Sequence, residues 1–251
     1  ITLGTIDLSS GLVDLQTIPA STATITQAPT TTVSAARMKI DSGGDVLLLN
    51  LGNDFQILEA LNIAGDLRIR DDISDLTIVR SSISGTTYEV QAASDLYLLE
   101  NAITAEQADV SLFAGLSIVN SATDIQQYNI AGQTLAMNAT TGIGASAAIT
   151  LKSILSIDAI TVDGGISLQQ QSSTNTTLER LEAETGLVKF EQFGISELSI
   201  ESISSGSDGV SVINHDGSIK LVVSPVGGST ITGGEHGRVA VHAGGAIMMP
   251  D

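Results

Sequence analysis

The sequence contains no cysteine and no tryptophan, and aromatic residues make up only 3% of the chain. The absence of cysteine excludes a disulfide scaffold, cysteine-based zinc sites and thiol catalysis. With so few aromatic rings, the core must consist of Ile, Val, Leu and Ala, which suits thin repeated layers better than one bulky centre. Hydrophobic residues still make up 42% of the chain. They can bury enough area to offset chain entropy, so a disordered chain is excluded.

Basic residues are scarce as well, since 10 Lys and Arg stand against 28 Asp and Glu, for a formal net charge of -18. Nucleic-acid binding and attraction to anionic membrane surfaces both require clustered Lys and Arg. No apolar run approaches the ~20 residues of a membrane-spanning helix. We therefore expect no nucleic-acid partner and no membrane insertion, whereas divalent cations are compatible with this charge.

The chain begins at Ile1, without an initiator methionine or a signal peptide. Its last apolar segment, residues 246–249, is not followed by a polar cap of the kind that closes a complete repeat protein. We therefore expect a processed product, or an internal piece of a longer repeat array.

A short unit recurs along the chain: a small residue, Asp, an aliphatic residue, any residue and a second aliphatic residue. Alternation of aliphatic and polar residues is typical of strands with one buried face. The unit with its Asp occupies residues 44–48, 65–69, 74–78, 94–98 and 108–112. Aliphatic pairs with the same alternation continue at 149–151, 160–162, 166–168, 198–200, 210–212, 219–221 and 239–241.

The spacing of these units predicts the fold. Counted from the first aliphatic residue, the units are about 20 residues apart, as at positions 46 and 67, 76 and 96, 96 and 116, 166 and 188, and 219 and 239. Stacked coils of this length place each strand beside its equivalent one turn later, which gives parallel sheets. We predict an all-β fold, a parallel β-helix (β-solenoid), which is right-handed because parallel crossovers are.

The prediction for domain organisation is a single β-solenoid segment over residues 1-251. Residues 1-40 are less regular and rich in Pro and Thr, and residues 41-251 form regular coils. The charged stretch 177–184, followed by Gly186, fits a short helix with a glycine stop or a charged excursion from a coil. Two segments, 19–35 and 170–186, are long enough to build a cleft outside the coils.

The chain resembles the filamentous-haemagglutinin-like adhesins and related giant secreted β-strand-repeat proteins of bacteria. The resemblance rests on the Asp-containing units at about 20-residue spacing and on the abundance of Ala, Gly, Ser, Thr and Ile, and it covers most of residues 40–245. It implies a secreted or surface-tethered, elongated protein that works in adhesion or matrix formation. The shared units are structural, so the resemblance assigns no functional residue.

Calcium is the cofactor that the sequence allows, because carboxylate and amide oxygens in turns are the ligands that it prefers. The candidate ligands are Asp71, Asp72, Asp75, Asn214 and Asp216. The alternative is that these residues serve turns and solubility, since both the glycine-rich calcium-binding nonapeptide and the EF-hand loop are absent. The three histidines, His215, His236 and His242, lack the close pairing of a zinc site, and the alternation of the strand points His242 outward.

No catalytic arrangement is recognisable, and we expect that the protein is not an enzyme. The densest basic cluster, Arg68, Arg70 and Arg80, resembles a site for substrate carboxylates, but Asp71 and its acidic neighbours are expected to neutralise it. With no Trp and three Tyr, aromatic platforms for sugars are few.

The leading functional hypothesis is a structural or adhesive segment of a secreted, cell-surface β-solenoid that forms a stalk, a fibre or extracellular matrix. Its expected partners are copies of itself, end to end or side by side, or a receptor, which is a cell-surface molecule or a glycan. The alternative is a carbohydrate-active β-helix, either a polysaccharide lyase or a depolymerase like those of phage tailspikes. A cleft that contains clustered acids would favour the alternative.

Overall fold

The computed structural model of the protein describes residues 1–18, 22–124, 126–222, 231–235 and 237–249. Every regular element within these ranges is a β-strand, and none of the described residues is helical. Contacts group the chain into two compact units, residues 1–132 and 133–251, and each is described by itself.

The first unit is a parallel β-solenoid. Its strands are β1 (Thr2–Leu3), β2 (Ile6–Gln16), β3 (Ile25–Gln27), β4 (Val33–Asp41), β5 (Val46–Leu48), β6 (Asp54–Ile63), β7 (Leu67–Arg70), β8 (Leu76–Ile83), β9 (Thr87–Ala92), β10 (Leu96–Leu98), β11 (Ile103–Ala114), β12 (Ser117–Asn120) and the start of β13 (Ile130–Ala139). One ladder of parallel pairs runs through Ile25, Val46, Leu67, Tyr88 and Val110. A second runs through Met38, Leu58, Ile78 and Leu98.

The second unit repeats the same plan. Its strands are the rest of β13, β14 (Gly142–Ile143), β15 (Ile149–Lys152), β16 (Ser156–Thr161), β17 (Ile166–Gln171), β18 (Thr176–Ala183), β19 (Val188–Phe193), β20 (Leu198–Ile200), β21 (Ile203–Ser205), β22 (Gly209–Asn214), β23 (Ile219–Leu221), β24 (Ile231–Thr232), β25 (Arg238–Ala243) and β26 (Ile247–Met248). The residues of one parallel ladder are Ile166, Val188, Val210 and Val239.

The predicted fold class is confirmed, with coils of about 22 residues rather than 20. The spacings 46 to 67, 76 to 96 and 166 to 188 are true coil steps. Two other spacings are wrong, because Leu96 pairs with Ile118 and Ile219 pairs with Ile247. Leu116 follows a glycine, lies in the same turn and is 43% exposed. The sequence pattern wrongly identified this leucine as the first buried residue of a strand.

The core consists of aliphatic side chains that point inward at alternate positions and stack on their equivalents in the next coil. In β9 and β19 every second residue is buried, which is the pattern that a half-buried strand requires. The largest fully buried side chains include Tyr88, Phe55 and Phe190. Each lies on a ladder among aliphatic residues, so these rings are part of the same stacked core.

The stretch 177–184 belongs to a regular coil, so both the helix and the charged excursion are wrong. It lies in β18, where Leu178, Leu181 and Ala183 are buried and the charged residues between them face outward. Arg180 forms an ion pair with Asp158 of the preceding coil, with 2.8 Å between its Nη2 and Oδ2. The charged side chains therefore lie on the outer face of a strand, and the buried aliphatic residues on its inner face determine that it is a strand.

Of the two candidate segments for a cleft outside the coils, 170–186 is largely strand, and 19–35 is strand in part. The end of β17 and all of β18 take up much of 170–186, and β3 and the start of β4 take up part of 19–35. Residues 19–21 lie outside the described residues.

Close stacking of turns imposes glycine at several corners. A Cβ atom added to Gly85 would lie 2.3 Å from the carbonyl oxygen of Gly65, one coil earlier. Gly186 has in addition a φ of +84°, a conformation that side chains other than hydrogen disfavour. The turns of successive coils thus touch through their backbones.

We expect Gly85→Ala to lower the free energy of unfolding by about 1–3 kcal/mol, because neither backbone can move without disturbing the ladders. Gly4→Ala is the matched control, since nothing lies within 4 Å of its added Cβ. Urea unfolding followed by circular dichroism measures both variants. Equal stability of the two would contradict the backbone contact at this corner.

Candidate functional site

The structure separates the first three calcium candidates from one another. Asp71 is 1% exposed, and its Oδ1 accepts a hydrogen bond of 3.0 Å from the Phe55 N–H. Its Oδ2 is buried without a hydrogen-bond partner among the described residues. Burial raises the pKa of the Asp71 carboxyl to about 6, against the lowering effect of the Phe55 N–H. This side chain is enclosed by the coil and cannot share a turn site.

Asp72 and Asp75 are occupied by neighbouring protein groups. Asp72 accepts hydrogen bonds from Arg70 Nε, at 2.7 Å, and from the Gly52 N–H, at 2.9 Å. Asp75 Oδ1 accepts a bond of 3.2 Å from the Asp95 N–H. Each carboxylate binds a donor of its own, so the three aspartates do not converge on one point.

Asn214 and Asp216 are likewise placed apart. Asn214 is fully buried, and its amide donates to the carbonyl oxygens of Ser196 and Ser218 while accepting from the Gly217 N–H. Asp216 lies at the surface, where its Oδ2 accepts a long bond of 3.4 Å from the Gly194 N–H. Asn214 therefore ties adjacent turns together inside the coil.

The repeated Asp of the five-residue unit has a clear structural role. Its carboxylate reaches the turn one coil further on and accepts a backbone N–H there: Asp45 from Asp66, Asp66 from Thr86 and Thr87, Asp75 from Asp95, and Asp95 from Ser117. These distances lie between 2.8 and 3.2 Å. We call these four side chains the aspartate clamps. They satisfy backbone donors that the turn leaves unpaired.

The described histidines lie in the second unit and form no metal site. The ring of His215 stacks on Phe193, with centroids 4.2 Å apart, and its Nε2 lies 3.4 Å from Glu191 Oε2. Glu191 also forms an ion pair with Lys189, and this contact lowers the pKa of the Glu191 carboxyl. His242 pairs in register with Ile213, and His236 lies outside the described residues.

Among the described residues, no group of three or more His, Asp or Glu side chains is arranged to hold a metal ion. Calcium binding therefore stays a prediction from composition. The described part of the chain also contains no helix long and apolar enough to cross a membrane.

The predicted neutralisation of the basic cluster by Asp71 and its acidic neighbours holds for Arg70 alone, because Arg68 lies near an acid of the next coil instead. Arg70 pairs with Asp72, and Arg68 lies 3.9 Å from Glu89. Arg80 is exposed and forms no ion pair with any residue that the structure describes. Glu59, its register neighbour, pairs instead with Arg37.

Arg80 lies at the edge of a cleft that an irregular segment builds on the first unit. Between β12 and β13 the chain leaves the coil at residues 121–124 and 126–129, and we call the segment 121–129 the excursion, although Ile125 lies outside the described residues. Asn129 closes the base of this excursion from inside, because its buried amide donates to the carbonyl oxygens of Leu98 and Leu99. The Asn101 N–H donates to the Tyr128 carbonyl at 2.7 Å, which fixes the outer arm.

A carboxylate anchors the tip of the excursion. Glu100 Oε1 accepts hydrogen bonds from the Thr123 N–H, from Thr123 Oγ1 at 2.6 Å and from the Asp124 N–H at 3.0 Å. These bonds, chiefly that of the Thr123 hydroxyl, lower the pKa of the Glu100 carboxyl to about 2. Glu100 is therefore an anion at any physiological pH.

The resulting cleft has a volume of about 530 Å³ and is lined by Arg80, Ser82, Glu100, Asn101, Thr104 and Tyr128. Its floor is the outer face of β8 and β11, where Ser82 and Thr104 are register partners. The Tyr128 hydroxyl lies 3.2 Å from Thr104 Oγ1, so the excursion is tied to this floor. A cation, an anion, hydroxyls, an amide and one aromatic ring thus surround a single concave space. Most small-molecule sites are lined mainly by apolar side chains, so this polar lining favours a polar ligand.

A groove on the second unit is less equipped for chemistry. It measures about 470 Å³ and is lined largely by turn backbone, including Gly164, Gly165 and Gly186. Its charged side chains are Lys189, which already pairs with Glu191, and Asp208. The cleft on the first unit is therefore the stronger candidate.

The segments named as candidates for a cleft, 19–35 and 170–186, contribute no lining residue to this one, although the sequence does contain a signal for the segment that builds it. Residues 121–129 contain no pair of aliphatic residues separated by one position, so they cannot contribute a half-buried strand. What the sequence alone does not show is that Glu100 and Arg80 face this segment from earlier coils.

No protein-family model matches the chain, and neither does any curated protein or solved structure.

We expect Asp66→Ala to lower the free energy of unfolding by about 1–2 kcal/mol, because two turn N–H groups lose a charged acceptor. Asp66→Asn is the matched control, since its carbonyl oxygen still accepts, and its loss should be less than half as large. Hydrogen exchange at the Thr86 and Thr87 amides should accelerate in the alanine variant alone. Unchanged exchange there would refute the clamp.

The buried Asp71 should make stability depend on pH. Because its pKa is raised from 3.8 to about 6, the folded state holds a proton that the unfolded state releases between these values. The contribution of Asp71 to the free energy of unfolding is therefore fully present below about pH 4, and it is lost as the pH rises through about 6. Asp71→Asn should remove this loss, gaining about 1–2 kcal/mol at pH 7.5 relative to pH 4 after allowance for solvent screening.

Urea unfolding at both pH values measures this gain, with the exposed Asp7→Asn as the control for a general change in net charge. If Asp71→Asn and Asp7→Asn responded alike to pH, the effect would belong to overall charge and not to burial.

Proposed function

We propose that this protein is a structural and adhesive segment of a secreted or cell-surface β-solenoid, working as part of a stalk, a fibre or extracellular matrix. The observation that carries the proposal is the set of parallel ladders in each unit, in which every described coil is tied to the next. A spacer that bears load needs this repeated arrangement, because force on one coil is shared by the hydrogen bonds of its neighbour.

Contacts between coils extend beyond the backbone. The aspartate clamps bridge turns in the first unit, and ion pairs cross from coil to coil at Arg37–Glu59 and Arg180–Asp158. In the second unit Gln170, Gln192 and Asn214 follow one another in register inside the coil, where their amides bind turn carbonyls. Strength is thus distributed along each unit, which supports a mechanical role.

The acidic composition supports an exposed, soluble surface of this kind. With a formal net charge of -18, copies repel one another unless a specific contact or a cation offsets the charge. Side-by-side assembly with copies of itself, or attachment to a surface receptor, remains part of the proposal.

A carbohydrate-active β-helix is the second candidate, and the cleft on the first unit is the observation in its favour. Glu100 is the carboxylate among its lining residues, and with a pKa of about 2 it cannot supply a proton near neutral pH. A general acid or base works best when its pKa lies near the working pH. The cleft is therefore better suited to holding a ligand than to cleaving it.

Pulling the chain by its ends in a force spectrometer tests the load-bearing role. We expect stepwise release of coils, each adding about 7–8 nm of contour length for 22 residues, because each coil contacts only its neighbours. Copies of a globular marker domain, fused to both ends of the protein, unfold in the same pull, and their unfolding force is the internal standard.

Extension below the force of the marker domains, without such steps, would contradict a load-bearing segment. Antibodies against the chain should also label intact source cells or their medium, and labelling only after permeabilisation would contradict a secreted location.

A further inference from the structure

We infer that the cleft formed by the 121–129 excursion binds a carboxylated sugar, with Arg80 holding the carboxylate. The inference adds a ligand to the proposed scaffold and does not depend on the scaffold's mechanical role. It rests on three features of the cleft: an unpaired guanidinium, an acceptor oxygen left open on Glu100, and a rim of hydroxyl and amide groups.

Among the described residues, two arginines, Arg80 and Arg238, form no ion pair with a carboxylate, and of these two only Arg80 lines the cleft. In a chain with 28 acidic side chains, Arg37, Arg68, Arg70 and Arg180 each lie within 4 Å of a carboxylate, and Arg80 has no such partner among the described residues. A planar guanidinium with its donors open matches the two oxygens of a carboxylate. Its position at a cleft, rather than on a flat face, gives that carboxylate a place to lie.

The charge of the cleft selects a singly charged ligand. Glu100 is held as an anion beside Arg80, so the two lining charges balance before a ligand arrives. One carboxylate can pair with Arg80, whereas a phosphate or sulfate cluster would add charge close to Glu100 and to an acidic surface. The cleft is therefore unsuited to the polyanions that a basic patch would attract.

The remaining groups suit a ligand with several hydroxyls. The hydrogen bonds that Glu100 accepts from Thr123 and Asp124 all end on Oε1, and no other described residue donates to Oε2, which leaves Oε2 for a sugar hydroxyl. Ser82 and Thr104 supply hydroxyls side by side on adjacent strands, and Asn101 lies at the same rim. The half-buried ring of Tyr128 offers an apolar surface for the C–H face of a pyranose.

The size of the cleft agrees with this class of ligand. At about 530 Å³ it lies within the roughly 300–1,000 Å³ of typical small-molecule sites, which accommodates one or two sugar units but not an extended chain. A uronate and a sialate carry the same carboxylate and hydroxyl chemistry, and the experiment distinguishes them.

Calorimetric titration of the full chain with glucuronate, galacturonate and sialate tests the inference, with glucose and inorganic phosphate as comparison ligands. We expect at least one sugar acid to bind at least tenfold more tightly than glucose and phosphate. Arg80→Ala should weaken that binding at least tenfold, whereas Arg180→Ala, which removes the same charge from the second unit, should leave it unchanged.

Tyr128→Phe retains the ring and should weaken binding less than Tyr128→Ala does. Circular dichroism and hydrogen exchange confirm that each variant keeps its fold. Binding of none of the sugar acids, equal binding of phosphate, or unchanged binding by a folded Arg80→Ala variant would each overturn the inference. None of these results would alter the outcome of the pulling experiment. Failure of the ligand inference can therefore be distinguished from failure of the proposed load-bearing role.

Discussion

Register between successive coils is the constraint on which both units depend. Each inward side chain stacks on its equivalent one coil further on, as Val46 does on Leu67 and Ile166 on Val188. A shift of one residue would turn every aliphatic side chain outward, because strand side chains alternate between two faces. Core packing, turn stacking and contacts between outer charges all follow from keeping this register.

The aspartate clamps show how register is reinforced at the corners, where regular strand pairing stops. A turn leaves backbone N–H groups without partners in its own strand. In a stacked fold an acceptor on the adjacent coil can bind them in place of water. An aspartate immediately before a buried aliphatic residue, as in Asp66–Leu67, places a short carboxylate there. Aspartate, the residue type that suggested calcium in the sequence, thus accepts hydrogen bonds from backbone N–H groups. The carboxylates of the candidate ligands point to these separate donors, and they therefore do not converge on one point.

The fold was predictable from the sequence because the pattern that determines it is local and repeated. Every second residue of a strand is aliphatic, and each corner contains residues that favour a turn. The site was not predictable, because its parts come from separate coils. Arg80, Glu100 and Tyr128 are far apart in sequence, and their meeting depends on a coil length that the sequence shows only to within two residues. Charged stretches were also misleading, since outward residues such as Arg180 are tolerated in a strand whose inward positions are aliphatic.

Backbone contact between turns, as at Gly85 over Gly65, has a consequence for how such a chain can change in length. Removing or adding one residue displaces every later corner from the one beneath it, whereas adding a whole coil restores all contacts. Variation among proteins of this construction should therefore arise by duplication or loss of complete coils. Extra single residues should be confined to corners that already leave the stack, as the 121–129 segment does.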